Sequence, residues 1–188
     1  MTQQVAGNNV LSKIAETARQ RVQEAQAVRS LGQIQEEWRA IRPQPKDFAK
    51  AFHHEWNVIA EVKKASPSQG DIAADIDHLL VAQEYLNNGA AALSVLTEPL
   101  FFKGKIEYLQ DIRKSFRDAY LLQKDFVVDA HQIYEAALIG ADSILLIVAM
   151  LGEKDTEFLF DTAKKIGISV LMEVHDRAEL EIAKRIGA

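Results

Sequence analysis

The chain has 188 residues, 48% of them hydrophobic and 26% charged, with a formal net charge of −5. That balance suits a globular protein and argues against a nucleic-acid partner, and no lysine- or arginine-rich run opposes it. There is no cysteine, which excludes disulfides, thiolate zinc sites and cysteine nucleophiles. No apolar run reaches membrane-spanning length and no basic-then-apolar leader opens the chain, so no membrane partner is expected. A cytoplasmic setting is expected, or the plastid stroma if the source is a plant.

Residues 9–28 read as an amphipathic helix. Val10, Ile14, Ala18, Val22 and Ala25 fall near helical spacing, with Lys13, Glu16, Arg19, Arg21 and Glu24 between them. A second helical piece spans 31–41 and is stopped by Pro43 and Pro45. Asp47 is placed to cap a short helix through Phe48, Ala51 and Phe52. No strand occurs here. Residues 1–56 are therefore expected to form an N-terminal helical extension covering the bottom or side of the domain that follows.

From residue 57 the pattern changes. Strands are expected at 58–63, 91–96, 120–124, 143–148 and 168–174. Helices are expected at 76–87, 106–116, 131–138, 153–165 and 176–186. Strand and helix in alternation predict an α/β fold with a parallel sheet, and strands apolar along most of their length predict cover on both faces. Helices end in Gly89, Gly140, Gly167 and Gly187, each followed closely by the next strand or, for Gly187, by the last residue. Gly187-Ala188 has the form of an entry into a sixth strand. A closed (β/α)8 barrel takes roughly 250 residues. The expected fold is thus a TIM barrel truncated after its fifth βα unit, with residues 57–188 forming those units.

Charges sit where buried strands should not carry them. Glu61 and Lys63 are two apart on the first strand, so they share a face. Lys124 ends the third strand and Glu173 lies near the end of the fifth. Burying such groups is costly unless they are paired or functional, so these four suggest an acid–base site at the carboxyl ends of three strands. Each has a bland alternative. Glu61 and Lys63 could be a rim ion pair, and Lys124 or Glu173 taken singly reads as a solvated strand end. His53, His54, His78, His131 and His175 have no consistent ligand spacing, so they are read as surface or structural residues and no metal is expected.

Several runs in order carry a resemblance. They are Ile59-Ala-Glu-Val-Lys-Lys-Ala-Ser-Pro-Ser68, Ala92-Leu-Ser-Val-Leu-Thr-Glu98, Phe102-Lys-Gly104 with Tyr108-Leu109, Lys124-Asp-Phe126, Gln132-Ile-Tyr-Glu-Ala136, Gly140-Ala-Asp142 with Leu145-Leu-Ile147, and Glu173-Val-His175. With Pro45-Lys-Asp-Phe48 before them, they make the chain resemble the indole-3-glycerol phosphate synthase family of tryptophan biosynthesis. That family closes and decarboxylates 1-(2-carboxyphenylamino)-1-deoxyribulose 5-phosphate to indole-3-glycerol phosphate, releasing carbon dioxide and water, without metal or organic cofactor.

The resemblance implies a decarboxylating lyase with a phosphorylated small-molecule substrate. It makes Lys124 the general acid of ring closure, Glu173 the base, and Lys63 a contact to the anionic substrate and a candidate acid for dehydration. Glu61 would hold and tune both lysines. Phe102, Phe126 and Leu145 would wall the aromatic ring, and Ser66 and Ser68 would sit on the first βα loop near substrate. Ala130-His131, Glu98-Pro99-Leu100 and Lys105 depart from the family pattern beside the expected site. The family's phosphate grip belongs to its last strands, so these 188 residues alone are expected to be inactive, and to self-associate through open sheet edges. The alternatives are a non-catalytic barrel fragment, an interaction module, or another phosphate-binding barrel enzyme.

Overall fold

The computed structural model describes residues 2–66, 70–71 and 77–188. Ser68 and the first residue of the helix expected from 76 lie outside the described residues.

Helix α1 (Thr2–Val28) is longer than its apolar spacing suggests, and it buries Ile14, Ala15, Ala18 and Val22. Helix α2 (Leu31–Ile41) opens on a capping box between Ser30 and Gln33. It stops at Arg42, whose φ of 51° is left-handed, just before Pro43. Asp47 accepts a hydrogen bond from the Ala49 N–H and caps a short 3-10 turn, Phe48–Ala51.

The strands that follow are β1 (Ile59–Val62), β2 (Ala65–Ser66), β3 (Gly70–Asp71), β4 (Ala92–Leu96), β5 (Leu121–Lys124), β6 (Ser143–Ile147) and β7 (Ser169–Glu173). Between and after them run α3 (His78–Asn87), α4 (Ile106–Ser115), α5 (Ala130–Ile139), α6 (Val148–Ile166) and α7 (Arg177–Ile186). The main sheet has order β1-β4-β5-β6-β7, every pair parallel. The expected alternation is therefore present. Two local features differ from expectation. Ser66 ends β2, which pairs antiparallel with β3 where a loop was expected. Helix α6 starts directly on β6, with its break at Gly152 (φ 71°), instead of beginning at residue 153.

Register assigns the two faces. Val62, Leu93, Val95, Leu121, Ile144 and Leu146 pack with the helices in the main core. Strand alternation puts Glu61, Ser94, Leu122, Ser143 and Ser169 on the opposite face, and they are successive register partners. The amino half of that second face is covered by the segment before β1, because Phe48 and Ala51 pack on Ala92 and Leu122. The Phe48 N–H also donates to Ser169 Oγ at 3.1 Å.

A buried carboxylate anchors the extension. Asp142 accepts from the backbone N–H of Lys46 and of Leu121, each at 2.9 Å, and from the Arg113 guanidinium. Lys46 Nζ in turn donates to the carbonyls of Ala119 (2.6 Å) and Arg117 (3.1 Å). Helices α1 and α2 lie along α5, and α1 also meets α6. The extension thus covers both the bottom of the sheet's second face and the side of the helix layer.

Candidate active site

The carboxyl half of the second face is where the charged residues meet. Lys63 follows β1 directly, and its Nζ stands 2.7 Å from Glu61 Oε1. Lys124 is the last residue of β5 and Glu173 the last of β7, with Lys124 Nζ 3.4 Å from Glu173 Oε2. All four side chains are about one-third exposed. Each ammonium thus has its own carboxylate. Glu61 contacts Lys63, and one strand, β4, lies between that pair and β5, which carries Lys124.

The spacing follows from register. Val62 pairs with Val95, so Lys63 stands level with Leu96, which pairs with Lys124. Two strand spacings separate the lysines, about 10 Å at the usual distance between neighbouring strands. Glu173 pairs with Ile147, two residues beyond the Leu145–Leu171 rung. The floor between the pairs is apolar, with Leu96 and Leu145 buried.

A rigid loop brings the aromatic wall. Glu98 is 2% exposed, and its carboxylate accepts backbone N–H groups from Leu100 (3.0 Å), Phe101 (2.6 Å) and Phe102 (3.0 Å). The Gly104 N–H closes the loop onto the Glu98 carbonyl at 2.7 Å. This sets the Phe102 ring 5.9 Å from that of Phe126, which follows Lys124 by two residues. Ser66 is half-buried at the end of β2.

Residues that sequence reasoning passed over complete the surroundings. Asp125, buried behind Lys124, accepts from Arg21 of α1 (2.6 Å), from Thr97 Oγ1 (2.7 Å) and from the Phe126 N–H (2.8 Å). A signal was available, since a charged residue next to the expected acid invites a buried partner. Another pairing involves His175, read from sequence as surface or structural. Its Nε2 stands 3.3 Å from Glu173 Oε1, and its Nδ1 stands 3.3 Å from Glu179 Oε2. No spacing rule flagged this pair.

The departures from the family pattern also resolve. His131 is buried, its Nε2 2.9 Å from the Arg29 carbonyl, so it serves the dock of α1 and not the site. A cavity of about 330 Å³ behind the sheet is lined by Arg21, Thr97, Gln123 and Asp125, and none of the four charged residues of the site lines it. Among the described residues no three His, Asp or Glu side chains converge in a metal-binding cluster. No helix of the described residues is long and apolar enough to cross a membrane.

Two cations, two carboxylates and an aromatic pair around an apolar floor can do a definite kind of chemistry. They can bind an anionic aromatic substrate, deliver a proton to an oxygen and remove one nearby. Comparisons with known proteins are consistent with that reading. The family model described as indole-3-glycerol phosphate synthase matches residues 11–188. The indole-3-glycerol phosphate synthase of Aliarcobacter butzleri is 47% identical over 152 residues, covering 79% of this chain and 57% of that protein. The synthase of Streptococcus pneumoniae is 49% identical over 142 residues, covering 76% and 55%. That of Endomicrobium trichonymphae is 43% identical over 183 residues, covering 95% and 70%. The chain thus spans little more than half the length of most of these relatives. A match along nearly the whole chain, at this identity, shows that it belongs to the indole-3-glycerol phosphate synthase family.

Proposed function

We propose that this chain carries the acid–base half of an indole-3-glycerol phosphate synthase site. The enzyme would act in the cytoplasm on 1-(2-carboxyphenylamino)-1-deoxyribulose 5-phosphate. The observation that carries the reading is the Lys124–Glu173 contact of 3.4 Å, on the sheet face that also bears Lys63 and Glu61. Lys124 donates a proton to the ribulose carbonyl oxygen as the anilino ring carbon attacks, because that oxygen gains charge during closure. Carbon dioxide leaves, and loss of water restores aromaticity. Lys63 holds the substrate anion and is placed to protonate the departing hydroxyl. Glu61 keeps Lys63 in position, and Glu173 takes the proton released as the indole forms. Phe102, Phe126 and Leu145 bracket the ring, and Ser66 lies at the end of β2, just beyond Lys63.

In this reading residues 1–56 are an extension and residues 57–188 are the first five βα units of a (β/α)8 barrel. The free sides of β1 and β7 are where further strands would close it. A protein of these 188 residues alone would turn over negligibly and would self-associate along those edges. Adding the remaining strands of a relative, in cis or in trans, would restore turnover.

The deciding experiment is Lys124→Ala in the enzyme as the cell makes it, assayed by appearance of the indole product. General acid–base groups contribute about 100- to 10,000-fold. The expected result is a fall in kcat of that order with KM changed by no more than about threefold. An unchanged kcat would remove Lys124 from the role of acid.

A further inference from the structure

A groove of about 540 Å³ lies between the ends of α2 and α6, beside the turn at 43–45. It is at the amino end of the sheet, since Gly167 on its wall leads into β7, and so faces away from Lys63, Lys124 and Glu173. That volume is of small-molecule size. The wall carries Arg39, Arg42, Lys164 and Lys165, all exposed, and no carboxylate. The chain has 27 acidic and 22 basic residues, so a wall of four cations without one acid runs against its composition. Among the described residues none of the four is in an ion pair. Gathering like charges costs free energy, which an anion held among them offsets.

Helix ends alone explain part of this cluster. Arg39 is in the last turn of α2, and Lys164 and Lys165 are in the last turn of α6, where cations complement the helix dipole. Arg42 is different. It stands beyond α2 at φ 51°, a left-handed position that favours glycine. Helices α5, α6 and α7 all end on glycine there. An arginine in that conformation is strained, and a residue kept despite strain points to a use for its side chain. Arg42 Nε donates to the Arg39 carbonyl at 3.3 Å. Its guanidinium makes no other hydrogen bond among the described residues, which leaves its two terminal nitrogens for a ligand.

We propose that this groove binds a small anion with two or more adjacent negative charges, a diphosphate-like group either free or carried on an organic molecule. The guanidinium groups of Arg39 and Arg42 suit phosphate oxygens, and Lys164 and Lys165 add point charges. Half-buried Trp38 and buried Ile166 line the same groove and offer an apolar side to an organic part. A bound anion ties α2 of the extension to α6 of the helix layer, so its binding stabilises the docked extension. The proposal does not rest on the synthase reading.

Titration calorimetry with pyrophosphate, on the protein as the cell makes it, is the test. One saturable event per chain is expected, weaker at about 150 mM ionic strength than at about 10 mM. The Tm should rise with pyrophosphate concentration. Arg42→Gly removes the side chain and suits the left-handed backbone, so the variant folds. It should bind at least about tenfold more weakly, the scale of a lost charge-assisted hydrogen bond. Lys165→Gln should also weaken binding, whereas Lys184→Gln, on exposed α7, and Lys63→Met should not. Binding of ADP tighter than pyrophosphate would assign the anion to an organic carrier, and weaker binding would assign it to the free ion. No saturable heat at the lower ionic strength would overturn the proposal. Affinity kept in Arg42→Gly but lost in Lys63→Met would put the anion at the carboxyl end of the sheet and overturn it too. An equal loss in Lys184→Gln would reduce the effect to unspecific attraction. Binding of a hexaglutamate peptide that pyrophosphate does not displace would make the groove a protein-docking surface instead.

Discussion

Single residues in this protein earn their places by what they leave unpaired when removed. Asp142 is the clearest case. It is 3% exposed and gathers two backbone N–H groups and a guanidinium. Asp142→Ala would strand Arg113 and the buried Leu121 N–H, a loss of about 3–5 kcal/mol when one partner of a buried pair is deleted. Denaturant melts of the two proteins give that difference directly, and a change below about 1 kcal/mol, the range of an exposed pair, would contradict the account.

Lys46 beside it makes a pH prediction. Burial holds its ammonium below the ordinary lysine value, helped by the Arg113 charge, while Asp142 and Asp118 pull the other way. The unfolded chain therefore binds the proton more tightly than the folded one. The penalty is fully present below the lowered folded value, and stability rises with pH from there up to the ordinary lysine value of 10.5. Lys46→Met should flatten that alkaline slope, measured as stability against pH. A slope identical to wild type would show that another group is responsible.

At the level of elements, the loop from β4 to α4 is built as a rigid holder for Phe102. Its compactness depends on a close approach. A Cβ added at Gly104 would fall 2.3 Å from the Leu96 carbonyl oxygen and 2.8 Å from the Thr97 nitrogen. Backbone atoms cannot swing aside as a side chain can, so Gly104→Ala must open the loop, at about 1–3 kcal/mol by analogy with overpacking. A lowered melting temperature together with a raised KM for substrate is the expected pair of results. The same loop shows where sequence reading stops. Glu98 stood out only as a departure from a family pattern, because a carboxylate that accepts three successive N–H groups is visible only once the chain has turned back on it. The β2–β3 pairing was missed for a related reason. The turn-forming residues after β1 argue against a longer strand, but they do not forbid a two-residue ladder of Ala65–Ser66 with Gly70–Asp71.

For the whole molecule, the sheet leaves two rows of backbone groups to be satisfied. Among the described residues β1 and β7 each pair on one side only. Val58, Ile59 and Leu171 are exposed on these outer strands or beside them. Unpaired edges with apolar side chains pair with whatever strand is offered. A protein of these 188 residues alone should therefore sediment as concentration-dependent oligomers. A monodisperse monomer with a sharp cooperative melt would refute this. The extension acts at the same scale, since Arg21 reaches from α1 to Asp125, the neighbour of Lys124. Arg21→Ala should therefore loosen both the α1 dock and the end of β5, read as increased amide exchange at Asp125 and Phe126. Protection equal to wild type at both would detach α1 from the site.

The alternation of the five main strands with helices, the cap at Asp47, and the placing of Lys63, Lys124 and Glu173 at strand ends were all legible in the linear chain. These follow from local rules of period, capping and alternation, which act within a few residues. Which carboxylate meets which lysine was not legible, because parallel register is set by packing across strands 21 to 33 residues apart in the chain. Glu61 stays with Lys63, its near neighbour. Glu173 crosses to Lys124 because β5, β6 and β7 lie side by side. His175 joins that pair only because α7 starts where β7 stops and turns the imidazole back.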